Sequence, residues 1–346
     1  MKLELQCSEA RLRAPFVSGS GAVTARALLL VKLRDADGHV GFGEAAPLPG
    51  YDGVRIDDVA AALDDCRPAL AAGDGVAREQ LLAQCARAAV LPQAVAAIDL
   101  ALWDLAGRRA GEPVWRLLGA AAAGEAVEVN AAIAAPDRAG AAAAAAAARA
   151  AGYRALKVKV AIGDDAGRLA AVRAAAGPHT SIRLDANGAW SVDEAIAALH
   201  ALGPVGIELC EEPVAGLGAV AEVCARTPVP IAIDETAAAP GALDERVCDA
   251  VCLKIARCGG ISGVIDAARR ARVAGYEVYL ASTLDGPLGI AAALHAAAAI
   301  APQRPCGLAT LALFDGRQDP LPAVGGRIAV PLAPGLGDGL TGWYAR

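Results

Sequence analysis

From about residue 127 onward the chain repeats one pattern, in which a short apolar segment precedes a longer, alanine-rich amphipathic segment. The pattern recurs at intervals of roughly 20 to 27 residues. Short apolar runs predict buried strands, and the amphipathic runs predict helices. The predicted strands are residues 127–133, 154–160, 181–186, 206–211, 230–233, 249–255, 276–281 and a weaker one at 304–308. Eight such units favour an α/β fold, a closed (β/α)8-type (TIM-like) barrel.

An open, doubly wound parallel sheet is the alternative fold, because it also alternates strands with helices. That fold commonly binds a dinucleotide through a G-x-G-x-x-G turn after its first strand. No such turn follows residues 127–133, so the sequence gives a dinucleotide site no support.

The first third of the chain is organised differently, with its strands first and its helices after them. The predicted strands are residues 1–12 and 22–34, and the predicted helices are 55–72, 78–88 and 92–109. This order indicates a separate α+β unit. We therefore predict an α+β capping domain over 1–125, a catalytic barrel over 126–320, and a C-terminal segment over 321–346 whose GRIAVPL strand packs back on the capping domain.

Composition narrows the classes of partner. The formal net charge of −6 argues against nucleic acid and against an anionic membrane surface. The poly-alanine run Ala141–Ala148 is far shorter than the roughly 20 apolar residues of a membrane span. The nine cysteines form no C-x-x-C pair, and the first residues hold no apolar leader, so we expect reduced thiols in a cytoplasmic protein. A small-molecule substrate is the expected partner. The sequence leaves open whether the protein forms a homo-oligomer.

Five consecutive predicted strands deliver charged or polar side chains to their carboxyl ends, where barrel enzymes carry their reactive groups. In strand order these residues are Lys157 and Lys159; Arg183, Asp185 and Asn187; Glu211; Asp234 and Glu235; and Lys254. Because residues i and i+2 of a strand share a face, several of these side chains are expected to point into the barrel. Buried charges on this scale are costly unless they neutralise one another or a metal.

Three of these carboxylates, Asp185, Glu211 and Asp234, come from successive strands and form an all-oxygen set suited to Mg²⁺, with Mn²⁺ as a substitute. Lysines of the second and sixth strands flank the set, and a lysine beside a cation can act as a base because its pKa is lowered. Mutual repulsion within the set predicts that loss of one carboxylate spares or even stabilises the fold. A lone strand-end aspartate is more often a helix cap, but the ordered set over five strands favours function.

Two further motifs have open interpretations. The Gly259-Gly260 pair after the sixth strand either opens a helix toward an anionic group or is a simple tight turn. Glu212 either supports a neighbouring ligand or has no role.

These motifs together resemble the enolase superfamily, and within it the muconate-lactonizing-enzyme subgroup, over nearly the whole chain. The resemblance rests on K-x-K, D-A-N, E-E-P, D-E and the later lysine in that order, and on the helical segment Ala94–Gly107. It implies a metal-dependent lyase or isomerase that removes a proton α to a carboxylate through an enediolate. It implies Asp185, Glu211 and Asp234 as metal ligands, Lys159 and Lys254 as the acid–base pair, and Lys157, Arg183, Asn187 and Glu235 in support.

The resemblance also extends to the substrate side. Gly307 and Ala309 stand where dipeptide epimerases carry two aspartates that grip the substrate ammonium, which argues against that activity. The segments Gly307–Leu311 and Ser282–Asp285 instead resemble o-succinylbenzoate synthases. The implied substrate contacts are Ser282, Thr283, Asp285, Gly307 and Leu308, with specificity from the capping segments Phe16–Val23 and Pro47–Gly53.

The implied reaction is dehydration of 2-succinyl-6-hydroxy-2,4-cyclohexadiene-1-carboxylate in menaquinone biosynthesis. The alternatives are an N-acyl amino acid racemase or dipeptide epimerase, a muconate cycloisomerase, and a metal-binding scaffold without catalysis. The presence of both lysines together with all three carboxylates argues against a scaffold without catalysis.

Overall fold

The computed structural model describes residues 1–19, 21–120 and 126–345. The capping region begins with an antiparallel sheet of order β1-β2-β3. Its strands are β1 (Lys2–Ser18), β2 (Gly21–Arg34) and β3 (Val40–Ala45). Its helices are α1 (Pro49–Asp52), α2 (Ile56–Asp65), α3 (Arg67–Ala71), α4 (Arg78–Ala88), α5 (Pro92–Ala110) and α6 (Val114–Leu117). The predicted helix over 55–72 is thus two helices, because Pro68 has no N–H with which to continue the first.

Helix α5 packs closely on strand β3, and two glycines allow this. A Cβ at Gly41 would lie 2.2 Å from the carbonyl oxygen of Ala101, and one at Gly43 would lie 2.1 Å from that of Ala97. Only glycine fits such an approach of strand to helix backbone. The G-F-G spacing in the sequence therefore sets how the capping sheet sits on its longest helix.

The second region is a curled parallel sheet surrounded by helices, which confirms the predicted fold class. The sheet has the order β11-β10-β9-β8-β7-β6-β5. Its strands are β5 (Ala131–Ile133), β6 (Ala155–Lys159), β7 (Ser181–Asp185), β8 (Ile207–Glu211), β9 (Ile231–Ile233), β10 (Ala250–Leu253) and β11 (Glu277–Leu280). The helices are α7 (Arg138–Ala150), α8 (Asp165–Ala176), α9 (Val192–Leu202), α10 (Leu217–Arg226), α11 (Ile255–Cys258), α12 (Ile261–Ala274) and α13 (Pro287–Ile300).

The eighth strand predicted at 304–308 exists only as isolated bridges, yet these connect the two edges of the sheet. Gly307 bridges to Ala281 after β11, and Cys306 bridges to Val129 near β5. A second departure from the regular repeat follows β9, where the 3-10 turn Glu235–Ala238 stands in place of a helix. Within the described ranges, no helix is both long and apolar enough to cross a membrane.

The C-terminal segment contacts both regions. Strand β13 (Arg327–Ala329) pairs with β12 (Ala323–Val324) and with β4 (Ala126–Glu128), so the predicted GRIAVPL strand joins the start of the barrel rather than the capping sheet. Later residues reach the capping region, where the Leu336 N–H donates to Asp104 Oδ1 at 2.7 Å. The predicted boundary at 125 adjoins residues 121–125, which lie outside the described ones, and it stays a prediction.

The Gly259-Gly260 pair does lead into a helix directed at an anionic group, and that group is a carboxylate of the capping region. The N–H and the hydroxyl of Ser262, in the first turn of α12, donate to Asp99 at 2.9 and 2.6 Å. Gly260 has φ 104°, and a Cβ there would lie 2.4 Å from Asp99 Oδ2. Asp99 on α5 therefore caps a barrel helix and ties the two regions together.

This carboxylate predicts a pH dependence of stability. Burial raises the pKa of Asp99 from 3.8 to about 6, although the Ser262 hydrogen bonds act to lower it. The folded protein therefore binds the proton of Asp99 more tightly than the unfolded chain does. The contribution of Asp99 to the free energy of unfolding falls as pH rises from about 4 to about 6. The rise in the pKa of Asp99 corresponds to about 3 kcal/mol in the free energy of unfolding.

We expect Asp99→Asn to remove this pH dependence of stability. The free energy of unfolding of the variant, relative to that of wild type, should therefore rise between pH 4 and 6 and stay constant at higher pH. Urea unfolding across this range measures the difference. Asp57→Asn, at an exposed position on α2, is the matched control and should show no such trend. Parallel pH profiles for wild type and Asp99→Asn would contradict the prediction.

Candidate active site

A cavity of about 350 Å³ opens where the carboxyl ends of the barrel strands meet the capping region. Register places the strand ends side by side, with Lys159 opposite Asp185 and Asp185 opposite Glu211. The predicted residues that line the cavity are Lys157, Lys159, Asp185, Asn187, Asp234, Lys254, Ser282, Thr283 and Gly307. The capping region contributes both predicted specificity segments, through residues that include Phe16, Val23, Leu48 and Tyr51.

Three buried carboxylates are matched by three lysines at the floor of this cavity. The Lys157 ammonium donates to Asp185 at 2.8 Å and to Glu211 at 2.7 Å. Lys159 donates to Asp185 at 2.7 Å. Lys254 forms an ion pair with Asp234. The formal charges of the set therefore cancel, which offsets the cost of burying each of them.

Ion pairing opposes the effect of burial on the pKa values of Asp185 and Lys254. Burial alone would raise the pKa of Asp185, but Lys157 and Lys159 hold it well below its usual range. Burial would lower the pKa of Lys254, but Asp234 and its neighbours raise it well above the ordinary value. Ion pairing thus favours the charged form of both groups.

Asn187 connects Lys159 to a further acid. Its Oδ1 accepts from Lys159 at 2.7 Å, and its Nδ2 donates to Glu235 Oε1 at 3.0 Å. Glu235 thus orients the Asn187 amide. Among the described residues, the buried Glu235 Oε2 has no hydrogen-bond partner.

Arg183 lies away from the cavity. Its guanidinium donates to both oxygens of Glu208, at 3.2 and 3.0 Å, and to the Pro305 carbonyl at 2.7 Å. It also stacks 5.5 Å from the Tyr279 ring. These contacts join strands β7 and β8 to the segment that closes the barrel, so the geometry gives Arg183 a packing role.

The predicted substrate contacts divide into two groups. Ser282, Thr283 and Gly307 line the cavity, and the Ser282 hydroxyl shares a 2.9 Å hydrogen bond with Thr310. Asp285 is buried outside the lining, where it accepts from the Thr283 hydroxyl at 2.6 Å. Leu308 is fully buried and is also absent from the lining.

Sequence reasoning missed two side chains that hold the carboxylates. The Tyr51 hydroxyl donates to Asp234 at 2.7 Å, and the Tyr279 hydroxyl donates to Glu211 at 2.7 Å. Glu212 accepts from the Asp234 N–H at 2.6 Å, which resolves its open role in favour of support. Alternation along β11 could have placed Tyr279 inside the barrel, whereas no local signal pairs Tyr51 with Asp234.

The donor set fits a divalent cation. Glu211, Asp234 and Cys252 each offer a ligand atom within 4.8 Å of the other two. The Lys157 ammonium donates to both Asp185 and Glu211, so Asp185 also lies beside this donor group. Carboxylate oxygens are the ligands that Mg²⁺ prefers, and so many buried carboxylates suit a dication.

Comparison with known proteins identifies the family of the chain. Residues 2–119 match the mandelate racemase / muconate lactonizing enzyme N-terminal domain, and residues 139–341 match the enolase C-terminal domain-like family. The chain therefore belongs to the enolase superfamily, in its muconate-lactonizing-enzyme subgroup. Fold and site define an enzyme of the metal-dependent lyase or isomerase class, and enolase-superfamily enzymes bind Mg²⁺.

Three relatives illustrate the range of activities. An o-succinylbenzoate synthase of Mycobacterium tuberculosis is 40% identical over 216 residues, which are 59% of this chain and 64% of that protein. The N-succinyl Arg/Lys racemase of Bacillus cereus has a structure with TM-score 0.89 and 26% identity, covering 99% of this chain and 97% of that one. The structure of a dipeptide epimerase of Cytophaga hutchinsonii, complexed with Mg and D-Ala-L-Val, has TM-score 0.87 and 27% identity. It covers 98% of this chain and 97% of that one.

Proposed function

We propose that this protein is an o-succinylbenzoate synthase, which eliminates water from 2-succinyl-6-hydroxy-2,4-cyclohexadiene-1-carboxylate. The observation that carries the proposal is the charge of the cavity lining. Among the described lining residues, the only carboxylates are Asp185 and Asp234, both of which are paired with lysines. Gly307 and Ala309 line the wall where an ammonium-binding acid would stand. A substrate ammonium would be desolvated there without a counter-charge, so a substrate that lacks an ammonium group fits this wall better.

The chain's own residues account for the proton transfers. Lys159, held by Asp185 and the Asn187 amide, takes the α-proton and then returns it to the departing hydroxyl. Lys254 stays protonated beside Asp234 and stabilises the negative charge that develops. Asp185, Glu211 and Asp234 would hold Mg²⁺, or Mn²⁺ in its place, which when bound supplies positive charge to the substrate carboxylate.

The capping segments shield this chemistry from water. The Phe16 ring lies 5.7 Å from the Lys159 ammonium, and the Tyr51 ring lies 4.8 Å from that of Lys254. Each catalytic lysine is thus covered by one aromatic ring of a capping segment. Exclusion of water strengthens the electrostatic interactions on which the reaction depends.

Direct assay of the purified protein tests the proposal. With Mg²⁺ and the cyclohexadiene precursor we expect the aromatic product to form, and we expect chelation of the metal to stop its formation. Heat-treated enzyme controls for spontaneous dehydration of the precursor. Absence of turnover at micromolar enzyme with Mg²⁺ present would refute the proposal.

A second candidate, an N-acyl amino acid racemase, is favoured by one feature of the geometry. Lys159 ends β6 whereas Lys254 follows β10, so two lysines from well-separated strands line the same cavity. A racemase needs one such group on each face of the reacting carbon. Exchange of the α-hydrogen of N-succinyl amino acids in deuterated water, together with loss of optical rotation, separates this activity from dehydration. Dipeptides and muconate in the same assays test the epimerase and cycloisomerase alternatives.

A further inference from the structure

Cys252 is a buried thiol beside the proposed metal centre. It lies on β10 two residues before Lys254, so alternation directs both side chains to the interior of the barrel. The side chain is only 2% exposed. Its sulfur belongs to the group in which Glu211, Asp234 and Cys252 bring one ligand atom each within 4.8 Å of the others.

A positive charge already stands among these donors. The Lys254 ammonium pairs with Asp234 and lies 3.9 Å from the Cys252 sulfur. The sulfur has no other hydrogen-bond contact within the described part of the chain. The Lys254 ammonium therefore contacts two of the three donors, Asp234 and Cys252, as a bound cation would.

A second cavity, of about 250 Å³, gives this position its own access. Asp234, Lys254 and Tyr51 line both cavities, whereas Cys252 lines only the second. This cavity lies beside the 3-10 turn Glu235–Ala238, where the regular repeat would have placed a helix. Water and small ions can therefore approach the thiol without passing through the substrate cavity.

We propose that Glu211, Asp234 and Cys252 form a binding site for a thiophilic divalent cation such as Zn²⁺ or Cd²⁺. The inference rests on the proposed function, because the site shares Glu211 and Asp234 with the Mg²⁺ centre. On binding, a metal–sulfur bond forms and the thiol proton leaves to solvent, so that one thiolate, two carboxylates and one open position complete a four-coordinate ion. The ion displaces the Lys254 ammonium and competes with Mg²⁺, so bound Zn²⁺ inhibits the enzyme.

Cadmium is the probe, because a cadmium–thiolate bond absorbs in the ultraviolet whereas cadmium–carboxylate bonds do not. Titration of the metal-free protein with Cd²⁺ is expected to give this band, and excess Mg²⁺ is expected to reduce it. In Cys252→Ser, Cd²⁺ affinity should fall by at least about tenfold and the Mg²⁺-sensitive part of the band should vanish. Cys258→Ser is the matched control, since Cys258 lines the same cavity but lies outside the donor group, and it should retain both.

A second variant tests the role of the ammonium independently of the thiol. Lys254→Met removes the charge that competes for the position, so it should bind Cd²⁺ more tightly than wild type while keeping the band. A Mg²⁺-sensitive band that persists in Cys252→Ser would overturn the assignment, as would weaker Cd²⁺ binding by Lys254→Met. Mg²⁺ binding and precursor turnover measured on the wild-type protein show separately whether the proposed function has failed.

Discussion

Replacement of Asp185, Glu211 or Asp234 by alanine is expected to lower turnover by about three orders of magnitude or more. Each change removes a charge from a site proposed to hold a dication, so metal occupancy and turnover should fall together. Kinetics with the cyclohexadiene precursor and calorimetric titration with Mg²⁺ measure the two quantities on the same variants.

The structure reverses one part of the sequence-based expectation for these variants. The repulsion of three carboxylates predicts that loss of one spares or stabilises the metal-free protein. However, each carboxylate here neutralises at least one lysine, and Asp185 pairs with both Lys157 and Lys159. Removing it leaves the buried Lys159 ammonium without a counter-charge and leaves Lys157 with Glu211 alone, so Asp185→Ala should lose about 3 to 5 kcal/mol of stability.

Glu208→Gln is the matched control for both effects. Glu208 forms ion pairs with Arg183 and Arg304, and it lies outside the cavity lining. This variant should lose stability without a comparable loss of turnover. If a carboxylate variant turned over like wild type, and chelation had no effect on it, these carboxylates would be structural.

Conservative replacement of the two lysines is expected to separate their roles. Arginine keeps the positive charge but cannot release its proton near neutral pH. For a synthase, Lys159→Arg should lower kcat by about a thousandfold, because general acid–base catalysis contributes 10² to 10⁴. Lys254→Arg should lower kcat much less, since Lys254 supplies only positive charge in this reaction. Lys254→Ala, which removes the charge, should again be severely impaired.

The same variants give a different pattern for a racemase. Both arginine variants would then fail to racemise, because each lysine must release a proton in one direction. Single-turnover kinetics and α-hydrogen exchange in deuterated water, measured on all three variants, distinguish the two patterns. Normal turnover by Lys159→Arg would exclude Lys159 as the base in either reaction.

Some of the site was predictable because it depends on neighbours along one strand. In a parallel barrel the carboxyl ends of all strands meet at one rim, so any residue that ends a strand is placed there once the strand is recognised. This is why Lys157, Lys159, Asp185 and Asn187 line the cavity as predicted. Asp285 and Leu308 lie in loops after the strands, where alternation does not decide which way a side chain points, and neither reaches the cavity.

The sequence by itself determined the repeating strands and helices, the barrel class and the order of charges around its rim, because periodicity and strand ends are local properties. Only the tertiary structure decided which charges pair, that Tyr51 of the capping region holds Asp234, and that Asp99 meets the helix after Gly260. These contacts join residues as many as 183 positions apart. Burial favours such pairings, since a buried charge or N–H without a partner costs free energy, but packing of the two regions selects which partner it finds.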